Sequence, residues 1–339
     1  MSLYPLLLEP IYKEKVWGGR TLERLGRTLP GGAETRIGES WELADLDATS
    51  ASGGGGPAAH SRIRNGPLMK RTLGEVVGDF GVLVTGRMVM GGGGKFPLLL
   101  KYLDARENLS VQVHPSATYA AEHPDAHLKS EAWYVVVADP GAVLYKGVRA
   151  ETTPEAFAAA IRDGTVADHL IEVPARVGEC HYLPSGTCHA LGGGILVAEV
   201  QTASDTTFRV FDWGRTDREL HVQNAMACID FRPVRAEEHE PGATTVEGDV
   251  VARDLVSCEH FRIREWTMPQ GAGRRFESDE LSVLMVFGGE ASISWGSQDR
   301  RELRVRAGDT VLLPAALPFV DLQASPEVKL LEITPPEPT

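Results

Sequence analysis

Short runs of β-branched and aromatic residues, broken by glycine, proline and other turn formers, recur along the chain. Phe96–Leu103, Ser110–His114, Ala132–Ala138, Glu179–Leu183, Ile195–Gln201, Leu281–Phe287 and Thr310–Leu313 read as strands. Asn65–Gly66 and Asp139–Pro140–Gly141 are turn sequences. Many short strands with turns between them predict a β-sandwich or barrel. Helical patterns are fewer. The clearest are Leu73–Val77 and Pro154–His169, the latter opened by Thr153 as N-cap and Pro154 at the first helical position.

The chain has 339 residues, room for two or three domains. The polar stretch Arg232–Asp249, with two prolines and few large apolar side chains, reads as a linker. It predicts a larger unit over residues 1–240 and a smaller β unit over 241–339. Gly53–Gly56 and Gly91–Gly94 read as surface loops. Lys95 follows the second run, but Phe96 and Pro97 stand where a phosphate loop needs Ser or Thr for magnesium.

Composition narrows the function classes. Hydrophobic residues make up 42% and charged residues 24%, which excludes a disordered or collagen-like chain. Thirty-four Lys and Arg against 47 Asp and Glu give a net charge of −13, which argues against nucleic-acid binding. A small phosphorylated substrate, needing only a few local cations, stays open. No apolar run reaches the ~18 residues that span a bilayer. Met1–Pro10 lacks the basic start and cleavage site of a signal peptide. The four cysteines, Cys180, Cys188, Cys228 and Cys258, form no Cys-x-x-Cys pair, so the expectation is a reduced, cytoplasmic protein.

Candidate chemistry concentrates in three places. In Ser110-Val111-Gln112-Val113-His114, strand alternation puts Ser110, Gln112 and His114 on one face and the valines on the other. Lys129-Ser130-Glu131 repeats the device, with Lys129 and Glu131 together. The third is Gly178-x5-Pro184-x-Gly186-x-x-His189. His181 lies inside that run but off its His position and reads as structural. Cys180 and Cys188 read as small buried residues. His123 and His127, four apart in the partly helical stretch Ser116–Leu128, could share a helix face, but no third ligand stands beside them.

The third pattern resembles the second motif of the cupins, which implies a small β-barrel whose motif His faces a metal. The wider set resembles type I phosphomannose isomerases. Gln112-x-His114-Pro115, Lys129-x-Glu131-x-Trp133-Tyr134 and the motif ending in His189 carry the likeness. So do Trp17-Gly18-Gly19, Gly38–Glu42, Phe96–Lys101 and Glu199-x5 followed by Thr206-Thr207-Phe208-Arg209-Val210-Phe211-Asp212-Trp213. It spans residues 5–232 in order and the remainder more loosely, in the short bacterial form.

That resemblance implies a mainly β chain of two cupin-type jelly-roll barrels with a few helices. It implies Gln112, His114, Glu131 and His189 as ligands of one zinc per chain, an N and O donor set that another divalent ion would also accept. Arg209 is implied as catalytic, a fixed cation for the enediolate and too weakly acidic to be a base. Glu199 is a proton-transfer or orienting carboxylate, or an ion-pair partner for Arg209. Lys129 and a metal-bound water are the other candidate proton carriers. Ser110, Lys101 and Lys129 are implied as phosphate contacts. The substrate implied is a small sugar phosphate, with mannose 6-phosphate and fructose 6-phosphate interconverted; no nucleic acid or membrane is expected, and oligomeric state is left open. An isomerase or epimerase of another sugar phosphate and a non-catalytic sugar-binding cupin remain alternatives. Gly308-x5-Pro314 repeats the turn spacing, but Ala316 and Phe319 replace its glycine and histidine, so a degenerate, metal-free second barrel is expected.

Overall fold

A computed structural model describes residues 2–47, 55–232, 242–276, 279–296 and 299–336. Gly53, Gly54, half of the expected linker (233–241) and the 240/241 boundary lie outside the described residues; within the other half Thr244–Glu247 is a strand paired with the one after it, not linker. The chain is mainly β, in four antiparallel sheets. A six-stranded sheet runs, in spatial order, Ile11–Gly19, Ile37–Leu43, Leu98–Ala105, Ile195–Thr202, Glu131–Ala138 and Cys180–Leu183. A five-stranded sheet runs Phe208–Phe211, Val111–Val113, His189–Leu191, Val143–Val148 and Leu170–Pro174. A core containing Trp17, Leu103, Trp133, Leu144 and Leu191 joins these two into the first sandwich.

The second sandwich pairs a seven-stranded sheet with a four-stranded one. The larger runs Leu6–Leu7, Thr310–Leu313, Ser282–Gly288, Val328–Thr334, Arg262–Met268, Val250–Ser257 and Thr244–Glu247. The smaller runs Gly273–Phe276, Val320–Ala324, Glu290–Trp295 and Arg301–Arg306. Trp266, Leu284, Ile293, Leu322 and Leu330 fill the space between. The expected barrels are thus two-layered jelly-roll sandwiches; among the described residues no pairing closes a ring.

Strand alternation gives the large sheets two jobs. Leu100, Tyr102, Ala198 and Val200 leave the outer face of the six-stranded sheet and meet Ile263, Val283, Met285 and Ile333 of the seven-stranded one in a shared core. The first segment crosses over: Leu6 and Leu7 pair with Leu312 and Val311, so the second sandwich takes its edge strand from the chain's start.

Local signals behave as their chemistry demands. Thr72 caps Leu73–Phe80 through a capping box with Glu75. Thr153 caps Pro154–Asp163, which stops at Gly164 in the left-handed region (φ +73°); a separate 3-10 turn, Val166–His169, follows. The expected helix to His169 is therefore two elements. The strand expected from Phe96 pairs from Leu98, past Pro97, which has no N–H to give a ladder. No helix among the described residues is long and apolar enough to cross a membrane.

Candidate metal centre and active site

The inner face of the five-stranded sheet carries one polar row. Arg209 stands opposite Gln112, Gln112 opposite His189, and His189 opposite Lys146, in successive antiparallel strands. Directly opposed residues share a face, so all four project from the same side. Val111 and Val113 point the other way, into a core with Phe157 and Val210. Facing them, the six-stranded sheet lines up Trp41, Lys101, Glu199, Trp133 and His181 in register. Gln201 and Glu131 form the adjacent pair.

Three ligand-capable side chains meet between these rows. His114 Nε2 lies 3.3 Å from Glu131 Oε2, and His189 Nε2 lies 3.2 Å from Glu131 Oε1. The Gln112 amide is 3.3 Å from His189 Nε2, and a half-turn of that amide exchanges its oxygen and nitrogen. Among the described residues this is the one cluster of three His, Cys, Asp or Glu side chains able to hold a metal. All three are buried. Pro184 and Gly186 shape the turn before His189; Gly186 takes φ +88°, and a Cβ there would stand 3.0 Å from the Cys228 carbonyl oxygen.

The hydrogen bonds around the imidazoles decide what their inner nitrogens offer. His114 Nδ1 is 3.1 Å from the Thr206 carbonyl, and His189 Nδ1 is 2.8 Å from the Thr187 carbonyl. A carbonyl only accepts, so each Nδ1 carries the proton and each Nε2 presents a lone pair. Burial, helped by Lys129, pulls the His114 pKa down to about 3, which keeps that ring neutral. Two lone pairs therefore face the oxygens of a carboxylate. His114 Nε2 and Glu131 Oε1 are buried without a hydrogen-bond donor, an arrangement that costs free energy unless a cation sits among them. A tetrahedral ion with bonds of about 2.0–2.1 Å spaces its donors about 3.3–3.4 Å apart. The separations here match, and the donor set fits a divalent ion.

Lys129 Nζ stands 2.8 Å from Glu131 Oε2. Burial alone would raise the Glu131 pKa, but the Lys129 ammonium holds it well below the usual carboxylate range. Lys101 donates to Gln201 Oε1 at 2.7 Å and pairs with Glu199 Oε2 at 3.1 Å. Burial pulls its pKa down, and Glu199 and Glu39 more than reverse that. Glu199 also accepts from Trp133 Nε1 at 3.0 Å. Its ion-pair partner is thus Lys101 rather than Arg209, because both sit on neighbouring strands of one sheet. Ser110 is buried, its hydroxyl 3.4 Å from the Gln112 amide oxygen. Arg209 is half-buried; Nη1 donates to the Glu219 carbonyl at 2.7 Å, while its buried Nε has no hydrogen-bond partner. Burial, then Arg218, lower its pKa.

The expected residues therefore gather in one interior. Other side chains belong there too. Lys146, 2% exposed, lies opposite His189 inside an otherwise apolar strand, and that lone lysine was the signal for it. Glu39 accepts from Trp41 Nε1 at 2.7 Å and pairs with Lys15 at 3.0 Å. Lys13 and Lys101 approach the Trp41 ring at 4.7 and 5.3 Å. His181 is buried in the same interior but outside the ligand cluster. Burial drives the Cys180 and Cys188 thiols up to about 12. His123 and His127 do not share a helix, since Ala117–Glu122 ends before both. Lys95 pairs with Asp47 at 3.2 Å and Asp45 at 3.7 Å.

Comparison with known proteins converges on one family. Residues 6–136 match phosphomannose isomerase type I, catalytic domain. Mannose-6-phosphate isomerase ManA of Bacillus subtilis (strain 168) is 33% identical over 327 residues, 94% of this chain and 95% of that protein. The crystal structure of the mannose 6-phosphate isomerase from Bacillus subtilis superimposes with a TM-score of 0.83 at 29% identity, covering 98% of this chain and 99% of that one. A zinc-bound mannose 6-phosphate isomerase, 17% identical, shares the fold with a TM-score of 0.73 over 99% of this chain and all of its own.

Proposed function

The chain belongs to the type I phosphomannose isomerases, and from that premise we propose a metal-dependent aldose–ketose isomerase interconverting mannose 6-phosphate and fructose 6-phosphate. The observation that carries this reading is the His114–Glu131–His189 triangle, with both outer nitrogens tied to carbonyls.

His114, Glu131, His189 and Gln112 would hold the ion, and zinc suits these donors. Bound there, a divalent ion would polarise the sugar oxygens at C1 and C2. The reaction takes a proton from C2 and returns one at C1 through an enediol. Arg209 supplies a fixed cation for the negative charge that develops in between. Glu199 and Lys129 are the carboxylate and ammonium assigned to orient the sugar and exchange its proton. Burial between two sheets keeps water from competing for that proton. Ser110, Lys101 and Lys129 are the proposed phosphate contacts; each lysine also faces a carboxylate, so the phosphate would share an ammonium with Glu199 or Glu131. We assign residues 1–240, apart from the Leu6–Leu7 strand, to the catalytic unit and 241–339 to the second. The four cysteines are free thiols, which suits the reducing cytoplasm.

Incubation with a panel of hexose 6-phosphates, with products identified by NMR, tests the reading. Mannose 6-phosphate and fructose 6-phosphate should interconvert, with about one divalent ion per chain by elemental analysis. Turnover of a different pair, or sugar binding without turnover, would overturn it.

A further inference from the structure

The second sandwich has a mouth as well as a core. Along Arg262–Met268, the side chains facing its interior are Arg262, Arg264, Trp266 and Met268. Opposite them in register stand Thr334, Glu332, Leu330 and Val328. Met268, Leu330 and Val328 belong to the apolar core. The other end opens into a cavity of about 750 Å³, lined only by residues between Gly242 and Thr334. That volume lies within the range of small-molecule sites.

Its lining is rich in arginine, each guanidinium set against a carboxylate. Arg262, Arg264, Arg274 and Arg275 line it, against Asp254, Glu280 and Glu332, in a protein of net charge −13. Carboxylates hold several of these guanidinium groups in place: Arg264 on Asp254 at 2.6 Å, Arg262 on Glu280 at 3.0 Å and Arg275 on Asp321 at 2.7 Å. The fork planes are therefore set before a ligand arrives, which lowers the ordering cost of binding. Arg274 lies 4.0 Å from the centre of the Trp266 ring, and its buried Nε has no hydrogen-bond partner. The Trp266 indole N–H donates to Glu332 Oε2 at 2.8 Å. Arg275 covers Phe319 at 4.3 Å, the residue at the motif position that His189 holds in the first sandwich. Aromatic rings and arginines thus occupy the end of the sandwich where the first unit keeps its ligands.

We propose that this cavity is a second binding site, for a phosphorylated sugar, with guanidinium groups on the phosphate and Glu332 and Glu280 on the hydroxyls. Planar N–H forks suit a phosphate, and carboxyl groups beside an aromatic ring suit a carbohydrate better than a bare anion. The site shares no residue with the metal centre, so it stands or falls separately from the assigned reaction.

Calorimetric titration of the metal-loaded protein with fructose 6-phosphate tests it. Two binding events per chain are expected, and Arg274→Ala or Arg264→Gln should each weaken one of them at least tenfold while leaving the other. Wild-type metal content and circular dichroism establish that each variant is folded, and either variant alone is sufficient. Binding that is unchanged in both folded variants, whether one event or two are seen in the wild type, overturns the proposal; a single event that both variants weaken would count against the metal centre instead. Inorganic phosphate binding at this cavity as tightly as the sugar phosphate would also overturn it, since the site would then not read carbohydrate.

Discussion

The two sandwiches share a turn and part company at its end. Gly178-x5-Pro184 and Gly308-x5-Pro314 both place a glycine in the left-handed region, φ +89° and +90°, ahead of a buried strand. In the first unit the chain then delivers His189 to a carboxylate that two imidazoles share. In the second it delivers Phe319 under an arginine. Their inner carboxyls differ in the same sense. Glu39 is surrounded by Lys15 and Lys101 and held down to about 2, whereas burial pushes Glu332 up. The repeated turn is a matter of backbone geometry, and the side chains beyond it are free to carry different chemistry.

The sharpest break in that contrast is His189→Ala. It should strip most of the metal, measured by elemental analysis, and nearly all turnover, more than the ~10–100-fold that losing an outer hydrogen-bond partner costs. Full metal occupancy in this variant would dissolve the distinction between the units. Next in size is Arg209→Lys, which keeps a charge and loses the planar fork. Turnover at saturation should drop at least ~100-fold, about 2.7 kcal/mol, as for a lost oxyanion contact, with metal content and KM little changed. Loss of affinity with normal saturating turnover would make Arg209 a phosphate anchor instead.

Smaller effects test the two carboxyls. Glu39 ionises more readily in the folded chain than in the unfolded one, so its contribution is present above pH 4.5 and fades as pH falls toward about 2. Glu39→Gln should lower the urea unfolding free energy at pH 7 by on the order of 2 kcal/mol, and by less at pH 4. Glu332 has the opposite sign: its raised pKa favours folding below the unfolded value and is lost as pH rises. Glu332→Gln should therefore be neutral or stabilising at pH 7. Equal losses in both variants would erase the difference. The smallest effect expected is none: Phe319→His should add no bound metal, because no carboxylate and second imidazole cluster beside that position among the described residues.

Legibility in the sequence follows from which face of a strand is apolar. Glu131–Ala138 and Ile195–Thr202 were plain because both faces are mostly buried apolar surface. Ile11–Gly19 and Ile37–Leu43 escaped the hydrophobic pattern, since Lys13, Glu39 and Ser40 interrupt it with buried or half-buried polar groups. Arg262–Met268 escaped for the same reason. The residues proposed as ligands could be singled out because all four sit at fixed offsets within three motifs, and three of them do cluster. The Lys101–Glu199 pair was not, because only the register between Leu98–Ala105 and Ile195–Thr202 makes them neighbours. Strands that hide from the hydrophobic pattern are thus the ones that build polar interiors.

The short strand Leu6–Leu7 gives the molecule a clock. Its partners, Val311 and Leu312, come about three hundred residues later in the chain. At ~5–20 residues per second the wait is about 15–60 s. During that interval Leu6 and Leu7 have no sheet to join, while the sheets of the first sandwich are already complete in sequence. The second sandwich, by contrast, gains its edge cover at the moment Thr310–Leu313 appears, since its partner strand is waiting. A nascent chain stalled between those two events would hold two apolar residues, Leu6 and Leu7, in search of an edge.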